Sequence, residues 1–209
     1  EEIELFKLNI KSLIEKARDS DEPVINSDET GFQILPTSIK TWSFKNTKNV
    51  SINVADSDKE RVSIMSSITS DYKKLPLFII GKGECLEEAQ EKLGEIIDDN
   101  YLTFSSKSYM NSECFVQYLN FLRKQYDDNR KIHLILDSYS SHTSKIAIST
   151  AEKLNIDLYF IPSHFTDVLQ PLDIAIFAPL KSKANSKIRR LLLNDQISKI
   201  GMDRSIGFL

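Results

Sequence analysis

Residues 132–161 read IHLILDSYSSHTSKIAISTAEKLNIDLYFI, an apolar strand, a helix and a second apolar strand in close succession. Two strands joined through a helix lie parallel, because the crossover returns the chain to its starting edge before the second strand begins. The first strand runs through Leu134, Ile135 and Leu136 directly into Asp137 and a series of small hydroxyl residues. A strand tip hands its side chains to solvent or to a ligand. Asp137 therefore reads in three ways: as a cap of the following helix, as a surface charge, or as a metal ligand.

Working outward, the stretches PVINSDETGF, NVSINVADSD, RVSIMSSITS and LPLFIIGKG are rich in Val, Ile, Ser and Thr with turn residues between them. Such runs predict antiparallel strands. Helical spacing of Ile3, Phe6, Ile10, Leu13, Ile14 and Ala17 predicts a first amphipathic helix. Cys85, Leu86, Ala89, Leu93, Ile96 and Ile97 suggest another, as do Phe115, Tyr118, Leu119 and Leu122 within 112–125. After the second parallel strand come a loop and a long helix over about 172–194, which Pro179 is expected to kink. The fold class is α/β, a mixed sheet of antiparallel first strands and parallel later strands flanked by helices. Residues 1–20 are expected to form an N-terminal helix, 21–195 the core and 196–209 a C-terminal tail.

Composition removes several alternatives. The 209 residues carry a formal charge of −3, so bulk positive charge cannot hold nucleic acid and any such contact has to be local. Cys85 and Cys114 are the two cysteines, and without a CxxC spacing or a nearby His pair they indicate neither a disulfide framework nor zinc. A reducing compartment fits. Nothing approaches the roughly 18 apolar residues of a membrane span. The opening EEIELFKLNI has no initiator Met and no signal-peptide layout, which reads as a piece of a longer soluble protein.

Three carboxylates occupy element boundaries. Asp28 follows the short run PVIN, Asp137 follows IHLIL, and Asp173 stands where PSHFTDVLQP gives way to a helix. Each has an ordinary reading: a turn residue for Asp28, a helix cap for Asp137, a favourable partner of the helix dipole for Asp173. In a mixed sheet whose first and fourth strands are neighbours, Asp28 and Asp137 emerge side by side, and a helix crossing nearby brings in Asp173. Three ionised carboxylates within about 5 Å repel by roughly 3 kcal/mol per pair at an effective dielectric of about 20. A divalent cation relieves that repulsion, and an all-oxygen donor set selects Mg²⁺ or Mn²⁺ over zinc.

The surrounding blocks carry a resemblance. NSDETGF, LILDSYSSH and IPSHFTDVLQPLDIAIFAPLK resemble the three signature blocks of pogo/Tigger-type DDE superfamily transposases, over about residues 22–185. The order matches, and so does the spacing of 35 residues between Asp137 and Asp173; LQPLD is the most specific block. The resemblance implies a ribonuclease H-like catalytic core in which Asp28, Asp137 and Asp173 are the catalytic triad and the metal ligands. It further implies two ions, with Asp28 and Asp137 sharing one and Asp173 helping to hold the other. The implied activity is metal-dependent DNA strand cleavage and strand transfer, on transposon ends and target DNA, in the nucleus and within a homodimer of the full-length chain. The family's N-terminal DNA-binding region is absent from these residues. Two positions depart from the pattern: Tyr109 stands where the family usually has Trp, and Asp167 where it often has Ser or His. A domesticated, non-catalytic DNA- or protein-binding module is the alternative. A ribonuclease H acting on hybrids is set aside, because only Glu113 is available as its further glutamate.

Residues for holding DNA are sparse. His142 either touches a phosphate or steadies the Asp137 loop, and His164 is equally open. Gln170 and Pro171 are expected to shape the turn that aims Asp173. On the last helix Lys181, Lys183, Lys187, Arg189 and Arg190 form a run with no acid among them, read either as a phosphate-tracking stripe or as a solvated face. Trp42 and Phe44 read as hairpin packing or as a base-stacking pair.

Overall fold

The computed structural model describes residues 2–33, 61–83, 100–126 and 130–194. The expected strand NVSINVADSD, the helix over 85–97, the tail over 196–209, and Trp42 and Phe44 lie outside the described residues. Six strands are present among the described residues: β1 (Val24–Gln33), β2 (Arg61–Thr69), β3 (Phe78–Lys82), β4 (Tyr101–Ser105), β5 (Ile132–Leu136) and β6 (Ile156–Phe160). The helices are α1 (Glu2–Asp19), α2 (Ser112–Arg123), α3 (Lys145–Lys153), α4 (Thr166–Leu169) and α5 (Phe177–Asn194), with a π-helical turn at Leu172–Ile176 leading into the last.

The strands form one sheet in the order β4-β3-β2-β1-β5-β6. β1 pairs antiparallel with β2, and β2 with β3; β1 with β5 and β5 with β6 are parallel. The mixed sheet flanked by helices is therefore as expected, with one addition. β4 lies outside β3 in parallel, where the sequence YLTFS predicts no strand. Its addition makes the partner of β1 the fifth described strand rather than the fourth.

β5 is buried at all five positions, as an unbroken apolar run requires when both faces of a parallel strand are covered. One face carries α2 and α3, where Phe115, Tyr118, Leu119 and Leu122 pack on Ile25, Met65, Phe78 and Leu134. The other carries α1, whose Phe6, Ile10, Leu13 and Ala17 join Val24, Ile135 and Ile161. Burying each such side chain contributes about 1.5–3 kcal/mol, so the sheet is clamped from both sides where β1 and β5 pair. No helix among the described residues is long and apolar enough to cross a membrane.

Candidate active site

The parallel pairing of β1 and β5 matches Val24 with His133, Ile25 with Leu134 and Asn26 with Ile135. Two residues beyond the last pair, on each strand, come Asp28 and Asp137. Both lie past the end of the β1–β5 pairing, at the C-terminal end of β5, where parallel sheets characteristically present their ligands. Asp28 is not at a strand end in the full sense expected. β1 continues through Gln33, with Asp28 opposite Ser66 of β2, and only its pairing with β5 stops at Asn26. A turn role for Asp28 is thereby excluded. Its Oδ1 accepts the Glu29 amide at 2.9 Å.

Asp137 is not a helix cap either. The cap of α3 is Ser144, whose Oγ accepts from the Ala147 amide at 3.4 Å, seven residues farther on. The loop between them folds back so that His142, 2% exposed, sets its Nδ1 2.9 Å from Asp137 Oδ1 and 3.3 Å from the Asp137 carbonyl oxygen. Both are acceptors, so Nδ1 carries the ring proton. The ring packs 4.4 Å from the Phe115 ring of α2, centroid to centroid. Of the two roles open to His142, a buried ring held this way matches the steadying of the Asp137 loop.

Asp173 is carried by the π-helical turn, exposed at its surface. Single π-turns inside helices occur often at functional sites, since the extra residue re-aims a side chain. Pro179, two residues into the last helix, has no N–H to give to the preceding turn, and the π-helical turn stands immediately before that helix. The loop before Asp173 is fastened by Gln170, which is fully buried. Its Oε1 accepts from Asn26 Nδ2 at 2.6 Å, and its Nε2 donates to the Ser27 carbonyl at 3.1 Å. Gln170 thus spans from the third block to the strand bearing Asp28, the turn-shaping role expected of it. Asn26 was not singled out in the sequence. Nor was the buried trio behind Asp28, in which the Tyr118 hydroxyl lies 2.6 Å from Ser27 Oγ and 2.8 Å from Ser67 Oγ. Burial pushes the Tyr118 phenol up to about 12, so it stays a neutral hydrogen-bonding group.

Asp28 feels the other two carboxylates. Burial first, then the negative charges of Asp173 and Asp137, push the Asp28 carboxyl up to about 7, against the lowering effect of the Glu29 amide and the Gln170 side chain. Among the described residues no three His, Cys, Asp or Glu side chains are already gathered closely enough to hold a metal ion. The donors nevertheless fit a hard divalent cation. They are all carboxylate oxygens, and the half-buried Asp28 is raised by the negative charge of the other two, which a cation would offset.

The basic residues of α5 divide by helical phase. Lys183, Lys187 and Arg190 recur at i, i+4 and i+7 and are exposed. Lys181 instead falls with Phe177 and Ala184, both buried, and is itself half-buried. Lys181 therefore sits nearer the inner side of the helix than Lys183, Lys187 and Arg190.

A family model described as DDE superfamily endonuclease matches residues 59–205, which include Asp137 and Asp173. The chain belongs to the DDE superfamily endonucleases. Asp28 lies outside the matched stretch and comes to the site through the β1–β5 pairing. The DDE domain is 24% identical over 168 residues to the mouse (Mus musculus) protein "Pogo transposable element with KRAB domain", covering 80% of this chain and 27% of that relative's length. The pogo/Tigger-type resemblance of the three blocks is thus borne out. Among solved structures the domain is similar to the Mos1 strand transfer complex, with TM-score 0.51, 15% identity, 88% of this chain and 50% of that one. It is likewise similar to the Mos1 transposase paired-end complex with left transposon end, at TM-score 0.50, 13% identity, 97% of this chain and 56% of that one. The shared feature is the ribonuclease H-like fold.

Proposed function

We propose that this domain is the catalytic core, residues 21–195, of a transposase that cuts DNA strands and joins them to target DNA. The observation that carries the reading is the register of β1 and β5, which sends Asp28 and Asp137 out side by side toward the turn bearing Asp173. Asp28, Asp137 and Asp173 would hold Mg²⁺ or Mn²⁺, two ions in all. When bound, such ions stabilise the attacking and leaving oxygens of an in-line phosphoryl displacement. The chain's own part is positional: His142 fixes one oxygen of Asp137, and Gln170 ties the Asp173 loop to β1.

Lys183, Lys187 and Arg190 lie roughly 15–25 Å along the helix from Asp173 at about 1.5 Å per residue, so they would grip phosphates flanking the cut rather than the scissile one. Transposon ends and target DNA are the partners, and pairing of two ends implies two copies of the full chain, working in the nucleus. The test is nicking of supercoiled plasmid by the full chain. Nicked circles accumulating with Mn²⁺ but not with EDTA, and falling to background in Asp137→Ala, support the reading; equal nicking by the variant overturns it.

A further inference from the structure

The loop leaving β5 is built of small hydroxyl residues with one aromatic among them. Ser138, Ser140 and Ser141 flank Tyr139, whose side chain is 51% exposed two residues beyond Asp137. Its backbone is fixed: the Tyr139 carbonyl accepts from the amides of His142 at 2.9 Å and Thr143 at 3.2 Å. Its ring is set edge-on to the buried His142 ring, with centroids 5.9 Å apart. The rim it stands on continues into the loop after β6, where Ser163 Oγ approaches Ser138 Oγ at 3.5 Å. The contact with His142 covers one edge of the ring, and half of the side chain stays open to solvent two residues beyond Asp137.

The other two exposed tyrosines are accounted for differently. Tyr109 is covered by the Arg61 guanidinium 4.4 Å above its ring, and Tyr72 projects from the β2–β3 turn at the opposite end of the sheet.

We propose that Tyr139 is a stacking platform for a nucleobase of the strand being cut, one that has left the duplex next to the scissile phosphate. The inference rests on the nuclease reading. Its physical basis is local charge: where Asp28, Asp137 and Asp173 concentrate negative potential, a strand cannot be held by charge attraction from the protein itself. Stacking on an aromatic face gives a grip that is independent of charge and tolerant of sequence. A paired base presents no free face at this position, so the platform selects unpaired nucleotides.

The test uses the full chain with Mg²⁺ and a single-stranded oligonucleotide carrying 2-aminopurine, whose fluorescence is quenched by stacking. Quenching by the wild type is expected, lost in Tyr139→Ala together with about a tenfold fall in affinity for the strand, and kept in Tyr139→Phe and Tyr139→Trp. Tyr72→Ala, equally exposed but at the far end, behaves as the wild type. Absence of quenching in the wild type, or equal quenching in Tyr139→Ala, overturns the proposal. Plasmid nicking is read alongside and reports on the nuclease reading separately: quenching without nicking sinks that reading alone, and nicking without quenching sinks the platform alone.

Discussion

His142 Nδ1 lies 2.9 Å from Asp137 Oδ1. The hydrogen bond fixes one oxygen of the carboxylate. Because Nδ1 is the donor, His142→Asn, which can place an amide N–H near the same point, is expected to retain more plasmid nicking than His142→Ala. Loss of a partner that orients a ligand typically costs about 10–100-fold in activity or metal affinity. Equal activity of the Ala and Asn variants at matched folding would show that the contact has no orienting role.

Asp28 makes the metal-free protein pH-sensitive. Its carboxyl is pushed up to about 7 from an ordinary 3.8. A carboxyl whose pKa rises on folding contributes stability that is complete below the unfolded value and lost as pH climbs through the folded one. In EDTA the wild type is expected to lose stability between about pH 4 and pH 8, and Asp28→Asn to be more stable at about pH 8 by ~1–3 kcal/mol. Denaturant melts across that range check this; identical pH profiles for the two proteins contradict it.

Gln170 is the fastening of the Asp173 loop. Gln170→Ala removes the acceptor of the Asn26 amide, which keeps only its longer bond to the Ile135 carbonyl, and the donor to the Ser27 carbonyl, a loss of about 1–3 kcal/mol. Amide hydrogen exchange over 162–176 is expected to accelerate more than exchange in α2. Uniform acceleration across both segments would place the effect on global stability instead.

The basic stripe makes a salt-dependence prediction. Replacing Lys183, Lys187 and Arg190 together by Glu is expected to lower the slope of log affinity for DNA against log salt by about 0.9 per lost phosphate contact, up to about 3. Lys181→Ala leaves that slope unchanged, since Lys181 shares the inner face with Phe177 and Ala184. A slope that follows Lys181 and ignores the other three would reverse the assignment.

The architecture was legible where a local period carried it. IHLIL and IDLYFI, separated by a helical stretch, announce a parallel pair, and β5 is buried throughout as its composition demands. β4 was not legible, because YLTFS offers only Leu102 and Phe104 as alternating apolar positions and its strand character comes from lying against β3. The burial of His142 was likewise invisible, since it depends on Phe115 of a different element. The same holds for Gln170, whose partner Asn26 is 144 residues away in the chain. Lys181 is a different matter: its spacing from Phe177 and Ala184 already places it inside, and reading the bases as a run rather than by helical phase merges it with the outer stripe.

Anomalous diffraction from crystals soaked in Mn²⁺ decides whether Asp28, Asp137 and Asp173 together gather divalent cations. Anomalous peaks contacted by carboxylate oxygens of all three residues are expected, and their loss in Asp28→Asn crystals. Mn²⁺ bound elsewhere, with no peak between the tips of β1 and β5, would contradict it.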